Sequence, residues 1–560
     1  MTELKKGQGL RQSMAWLHTW SGLAVCWVLF LVFVGGTASY YRDEISVWMK
    51  PELHGLLGQK VSPEDAAQRA YAYLQREAPD AERWFISLPD ERNPAISMFW
   101  TRKATPADAG KPARARLEIR TLDAMTGEPV PGARDTRGGD FLYRLHFDLH
   151  YMPAIWARWI IGFCTMFMLV AIVSGVITHR RIFADFFTFR AKKGQRSWLD
   201  AHNAMAVLAL PFHLMITYTG LVTLLFMYMP WGIQAVYNGN EQAFNAEVAA
   251  RAPRIKGSKD AAPLAPIAPM IVQATAQWNG AAPRRIVVDA PNRANATVSV
   301  TREDGRNIRT VAPSVVFAGA TGALQTKLGD DMAPASNTRF TMVGLHVAHF
   351  APGLLRALFF ASGLAGCLMV ATGALLWAVK TRQHHAKRIA ATGRTPFGLR
   401  LVEALNLGAI AGLPIAIAVY FWANRLLPVD LAQRQATEIQ AFFAAWALSA
   451  LLAQWRPTRA MWRAQLWAGA ALFAGLPLLN ALTTPTHLGV TLFHGPAVVA
   501  GFDLTVLALG IGLSAAAWML GKRGKAPRRQ AAEASPGKAH HVAHHAPQAV
   551  SRNVSHEVTQ

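Results

Sequence analysis

Eight stretches of this chain are apolar over the length a bilayer-crossing helix needs, at roughly 13–40, 154–178, 200–228, 354–379, 398–423, 437–455, 463–483 and 496–520. In hydrocarbon each backbone polar group must be satisfied within its own segment, so such stretches fold as helices. The expected class is therefore a membrane protein, mainly α, with about eight transmembrane helices. An apolar content of 52% with 18 Trp and 27 Phe in 560 residues fits that class and not a soluble chain. The first stretch follows Lys5, Lys6 and Arg11 and is longer than the apolar core of a signal peptide, so it reads as an uncleaved anchor.

The formal charge of +23 falls mostly in short segments between spans, at 180–196, 380–388, 455–459 and 522–529. Basic short loops mark the cytoplasmic side, so the charge signals topology and not a nucleic-acid partner. Both termini are then cytoplasmic. The expected domains are 1–41 (N-terminal tail and first helix), 42–145 (first outer domain), 146–228 (second helix, basic inner loop, third helix) and 229–345 (second outer domain). They continue as 346–380 (fourth helix), 381–396 (basic inner loop), 397–520 (four additional helices) and 521–560, a disordered tail with His540, His541, His544 and His545. Cys26, Cys164 and Cys367 all lie in apolar runs outside any CxxC or CxxCH pattern, which argues against disulfides, zinc knuckles and covalent c-type haem.

The two long insertions resemble each other. SPEDAAQRAYAYLQREAP and APLAPIAPMIVQATAQWNG read as amphipathic helices, each followed by alternating segments such as ISMFW and ATVSV and by a Thr-Gly turn. The first four spans thus form two tandem units, each a helix, a small outer α+β domain and a returning helix. Where each outer domain re-enters the membrane the chain carries a histidine pair, His146 and His150 in LHFDLHYMP and His346 and His349 in LHVAHFAP, followed by Arg158 and Arg356.

Further histidines lie inside spans. His18 sits in the first, and His202 and His213 in the third, where eleven residues bring them to one face if the helix is continuous. An ionisable group in hydrocarbon is expensive and marks function by default. Zinc sites close within one shell and commonly add carboxylate or thiolate, whereas these histidines lie at separate depths. Proton relays generally recruit Asp or Glu, which the interiors of the first four spans nearly lack. Haem b fits better, since it needs one histidine from each of two helices and small residues beside the macrocycle, for which the spans offer Gly22, Gly35, Gly36, Gly175, Gly220, Gly363, Gly366 and Gly373, although glycine is also common in membrane helices for close packing. A relay and plain core histidines stand as the other readings.

LHTWSGLAVCWVLFLVFVGGTASYYRDEI, LHFDLHYMPAIWARWIIGF, WLDAHNAMAVLALPF and GLHVAHF, in that order with two outer domains between them, resemble the PepSY-associated transmembrane-helix family over roughly residues 10–385. The resemblance implies periplasmic PepSY modules and, for the type that reduces ferric siderophores at the inner membrane, two b-type haems. Its pattern falls on His18 and His202 toward the cytoplasm and on His150 and His346 toward the periplasm. His213, His146 and His349 are second-rank ligands; if the second span is one unbroken helix, His150 stands above the hydrocarbon, and His213 offers a ligand at lower depth. The four C-terminal spans depart from the family core.

The expected function is an inner-membrane b-type haem oxidoreductase that passes electrons outward to a ferric siderophore for iron acquisition. Trp84, Trp100 and Trp231 are possible docking contacts, although packing or interfacial anchoring is the commoner role of such residues. The chain shows no GxGxxG between strand and helix and no P-loop, so electrons come from quinol or a separate flavoprotein. The rival is a non-redox transporter or receptor whose C-terminal spans form a pathway and whose PepSY-like domains bind a ligand or modulate a peptidase.

Overall fold

The computed structural model describes residues 9–102, 105–106, 116–179, 195–248, 252, 254–303, 305 and 307–522. Nearly all of the basic loop expected at 180–196 and of the tail expected at 521–560 lies outside those residues. Among the described residues seven helices are long and apolar enough to cross a membrane, and a bent pair makes up to eight. In chain order the spans of the first half are α1 (Leu10–Ser39), α5 (Ala154–Thr178), the pair α6 (Gln195–Leu208) and α7 (Leu210–Thr223), and α13 (Gly353–His384). The C-terminal spans are α15 with α16 (Phe397–Ile410, Gly412–Leu426), α17 (Arg434–Trp455), α18 (Arg459–Thr483) and α20 (Ala497–Lys522).

The third apolar stretch departs from the expected single helix. It bends by 69° between α6 and α7, where Pro211 sits in the first turn of α7 with no N–H to continue the ladder of α6. His202 and His213 therefore lie on different axes, and the shared face inferred from their spacing does not exist.

The two insertions build one sheet. Strands β1 (Arg83–Ser87), β2 (Ile96–Thr101) and β3 (Leu117–Leu122) come from the first, and β4 (Pro283–Asp289), β5 (Thr297–Arg302), β6 (Ser314–Ala318) and β7 (Leu324–Leu328) from the second. They run antiparallel in the order β3-β2-β1-β4-β5-β6-β7, with the seam between β1 and β4 in the register Trp84↔Val288 and Ile86↔Ile286. Period-2 alternation puts Trp84, Ile86, Met98, Val298 and Val300 on one face, where α3 (Pro63–Glu77) and α11 (Ile267–Gln277) cover them in a single core. Helix α3 begins where the Ser62 side chain accepts the Asp65 N–H at 3.1 Å and Pro63 occupies the first turn.

Each insertion ends in a short helix that turns back onto the bundle. Helix α4 (Gly139–Asp148) packs on α1, and α12 (Pro334–Val347) packs on α7. Left-handed residues break both from the next span: Leu149, His150 and Tyr151 (φ 51°, 47° and 45°) after α4, and Ala348 (φ 53°) after α12. The second span is thus not one unbroken helix, and the chain folds back so that His146 reaches the bundle interior.

Helix α15 packs against α1 and α13, and α20 against α2 (Arg42–Trp48), with α16, α17 and α18 joined to them around an apolar core. Buried polar ties fix them there: Trp27 Nε1 donates to Asn406 Oδ1 and Trp48 Nε1 to Asp503 Oδ1, each at 2.9 Å, and the Tyr420 hydroxyl donates to the Gly138 carbonyl at 3.0 Å.

Candidate functional site

Two cavities run through the histidine-bearing half. One lies at the helix ends farthest from the sheet and is lined by His18 of α1, His202 and His213, with Cys26, Leu29, Met168 and Trp377 among its walls. The other lies toward the sheet and is lined by His146 of α4 and His346 of α12, with Leu29, Phe33, Met168 and Ile216 among its walls. Leu29 and Met168 border both. Along α1, Gly22 and Cys26 line the first cavity and Val32 and Gly36 the second, an offset of ten residues or about 15 Å.

Each cavity holds a histidine pair whose ring centroids are 6.1 Å apart, His18 with His202 and His146 with His346. All four rings are seated in one way. His18 Nδ1 lies 2.8 Å from the Ala171 carbonyl, His202 Nδ1 2.9 Å from Met369, His146 Nδ1 2.6 Å from Val32 and His346 Nδ1 3.1 Å from Ile216. Four residues beyond each of these carbonyls stands a glycine: Gly175, Gly373, Gly36 and Gly220. A Cβ there would sit 3.1, 3.0, 2.8 and 3.0 Å from the Cε1 of His18, His202, His146 and His346 respectively. The missing side chain lets the imidazole lie on the helix and donate Nδ1–H to the carbonyl one turn back. That bond selects the tautomer whose Nε2 lone pair is free.

A metal between the rings of each pair suits this geometry. Two imidazoles sharing one metal through bonds of roughly 2.0–2.1 Å, with a ring centre about 1.1 Å behind each nitrogen, would stand up to about 6.3 Å apart. Among the described residues no group of three or more His, Cys, Asp or Glu is placed to hold a bare ion. A metal carrying its other donors in a flat apolar ring matches a two-histidine site with hydrocarbon walls, and the residues present fit haem b.

The rims differ. An exposed Lys380 lies at the edge of the sheet-distal cavity beside the partly buried Thr178, His179 and Asn203, whose Nδ2 lies 2.8 Å from His179 Nε2; among the described residues no carboxylate lines this cavity. The sheet-proximal rim carries Arg42, Asp43, Arg92, His349 and Arg356. There Arg92 meets Asp43 at 3.0 Å and Glu44 at 2.7 Å, and Arg356 meets Glu44 at 2.9 Å. Burial works to raise the Asp43 carboxyl, but the Arg92 and Arg42 guanidiniums outweigh it and hold the group below the usual carboxylate range.

The structure brings together three of the four leading histidines, His18 with His202 and His346 with His146. His150 stands elsewhere: its ring stacks on Phe443 at 5.6 Å, and it lines a separate open recess with Arg137 and Arg144. His213 is fully buried in the wall between the cavities, edge-on to Phe33 at 6.1 Å, and His349 stays at the sheet-proximal rim. Arg158 is held by Asp148 at 2.8 Å. Trp84 and Trp100 are buried in the sheet core, with Trp84 Nε1 donating to the Ala78 carbonyl at 2.9 Å, so neither can touch a docked ligand; Trp231 is exposed.

The place of His146 has a signal in the chain. Aligning the two repeats on Leu145-His146 and Leu345-His346 pairs the residues that meet in space. The Gly–carbonyl cradles carry no comparable signal, because each joins helices far apart in sequence.

Residues 15–380 match the profile of the PepSY-associated TM region. An uncharacterised protein of Pseudomonas aeruginosa is 31% identical over 189 residues, 33% of this chain and 44% of that protein, so the match spans under half of the relative's length.

Proposed function

The chain belongs to the PepSY-associated transmembrane family, and from that premise we propose that it is a two-haem electron carrier that reduces ferric iron, held by a siderophore, at the periplasmic face of the inner membrane. The observation that supports this most is the repetition of one histidine cradle four times, in two pairs at two depths. Chance core histidines would not share a carbonyl, a glycine and a 6.1 Å partner. Described basic residues cluster at the helix ends away from the sheet, including Lys380, Arg388, Arg400, Arg459 and Lys522; by the positive-inside rule that face is cytoplasmic and the sheet periplasmic.

Haem b bound at each pair, held by His18 and His202 in one cavity and by His146 and His346 in the other, would supply a reversible one-electron centre. The chain's own residues do the rest. The four Nδ1–H bonds fix ring orientation, while Phe33, Ile216 and the shared Leu29 and Met168 keep water from the path between the sites. At the periplasmic face a chelated Fe(III) takes one electron, and the resulting Fe(II) is held more weakly by hard oxygen donors.

Purified protein should show a b-type reduced-minus-oxidised spectrum, and pre-reduced proteoliposomes with the sheet outward should reoxidise on adding a ferric siderophore while ferrozine traps Fe(II). A colourless preparation made with ample haem supply would discard this reading. The rival is a transporter or receptor. One observation favours it: Arg434 and Glu438 of α17 form a fully buried ion pair with Asn424, and ionised groups inside membrane bundles mark pathways. A colourless protein in which Glu438→Gln abolishes solute uptake would establish it.

A further inference from the structure

We infer that the sheet-distal rim is a docking surface for an acidic, soluble one-electron carrier, a partner that rests on the two-haem reading above. The cavity holding His18 and His202 opens among the ends of α1, α5, α6 and α13, and Lys380 lines it. Seven residues separate Lys380 from Gly373, the seat of His202, which places the charged rim about 10 Å from the pair along the helix. Arg11 joins the same rim, its Nε donating to the Thr178 carbonyl at 3.0 Å. Directly after α13, helix α14 (Ala386–Thr392) presents Lys387 and Arg388 to solvent.

Little opposes this charge. Among the described residues Lys380, Lys387 and Arg388 have no ion pair; Glu403 is taken up by Arg382 at 2.6 Å and Asp200 is buried. The positive-inside rule asks only that basic residues lie on this face. It gives no reason for a lysine to line the cavity, nor for the described lining to lack a carboxylate. The sheet-proximal rim, by contrast, balances its arginines with Asp43 and Glu44. A single-sign rim over a redox site steers partners of opposite sign and raises their association rate about 10-fold or more at low salt. The transfer would balance without atoms or protons: the carrier would lose one electron, and a haem iron held by His18 and His202 would take it up, ferric becoming ferrous.

The test uses the full chain in nanodiscs of zwitterionic lipid, with flavodoxin as the acidic probe and reduced riboflavin as a small reductant without an acidic protein surface. Binding of oxidised flavodoxin is measured first, a readout independent of haem loading. It should weaken roughly 10-fold or more on raising salt, and by a similar factor in Lys387→Glu/Arg388→Glu, with a larger loss when Lys380→Glu is added. Reduction of the haem by flavodoxin hydroquinone should slow in parallel, while reduction by riboflavin should not. Flavodoxin binding that ignores both salt and charge reversal, equal slowing with riboflavin, or reduction by membrane quinol alone would overturn the assignment. Absence of haem would instead sink the two-haem reading and leave the binding result standing.

Discussion

Around His18 and His202 the described residues of the rim include Lys380 and no carboxylate, whereas around His146 and His346 three arginines share their surroundings with Asp43 and Glu44. Inside, the two cavities are built alike, with a glycine seat, a carbonyl one turn back and rings 6.1 Å apart. The difference separates two demands on one chain. Seating an imidazole in hydrocarbon has few solutions, because the ring must bury its Nδ1–H against an acceptor, and the chain repeats the same one. The rim faces whatever arrives from water and is free to differ.

The comparison breaks most sharply at the histidines. His18→Ala or His202→Ala should remove roughly half of the haem and leave the other half spectrally unchanged, and His146→Ala or His346→Ala should do the converse, since each iron loses one of its two protein bonds. Pyridine haemochrome content and low-temperature spectra check this. Loss of all haem from any single substitution would mean that the two sites do not load independently.

That experiment also separates what the chain declares from what it withholds. The spans and the two α+β insertions follow from apolar length and alternation, and Pro211 flags the third span as a poor continuous helix. Pairing of β1 with β4 is not legible, because partners such as Ile86 and Ile286 lie 200 residues apart with nothing local to join them. The histidine four residues after His146 draws attention by its helical spacing. That spacing ends at Leu149, where the backbone turns left-handed and sends His150 to Phe443 instead.

The glycine seats give the next largest effect. Gly373→Leu and Gly220→Leu should each displace one ring, costing about 1–3 kcal/mol of overpacking and lowering haem occupancy at that site alone. Gly512 of α20, which lines neither cavity and where an added Cβ meets nothing within 4 Å, is the control; Gly512→Leu should keep both haems. Matched losses at Gly512 and Gly373 would show helix packing at work and not the cradle.

Changes at the rims should be smaller and opposite in sign. Arg92→Gln leaves Asp43 and Glu44 without their main partner beside the sheet-proximal site, so the ferric form gains and the potential falls; Glu44→Gln should raise it. A shift of about 1 kcal/mol corresponds to roughly 40 mV for one electron. The sheet-distal potential should stay put in both, as a two-component redox titration would reveal. Equal movement of the two potentials would erase the distinction between the rims.

The smallest effect belongs to His150. Its ring lies between Phe141, at 5.8 Å edge to face, and Phe443, stacked at 5.6 Å, so His150→Ala removes aromatic contacts worth about 1 kcal/mol and no cradle. Thermal unfolding should shift down slightly while both haems keep their spectra, and His150→Phe should restore the stability because it refills the stack without a nitrogen. His146→Phe, four residues away, should empty the sheet-proximal site. If instead His150→Ala cost that haem while His146→Ala kept it, the ligand would be the outer histidine of the pair. The chain would then have to unwind its left-handed turn at Leu149–Tyr151 to bring that ring inward.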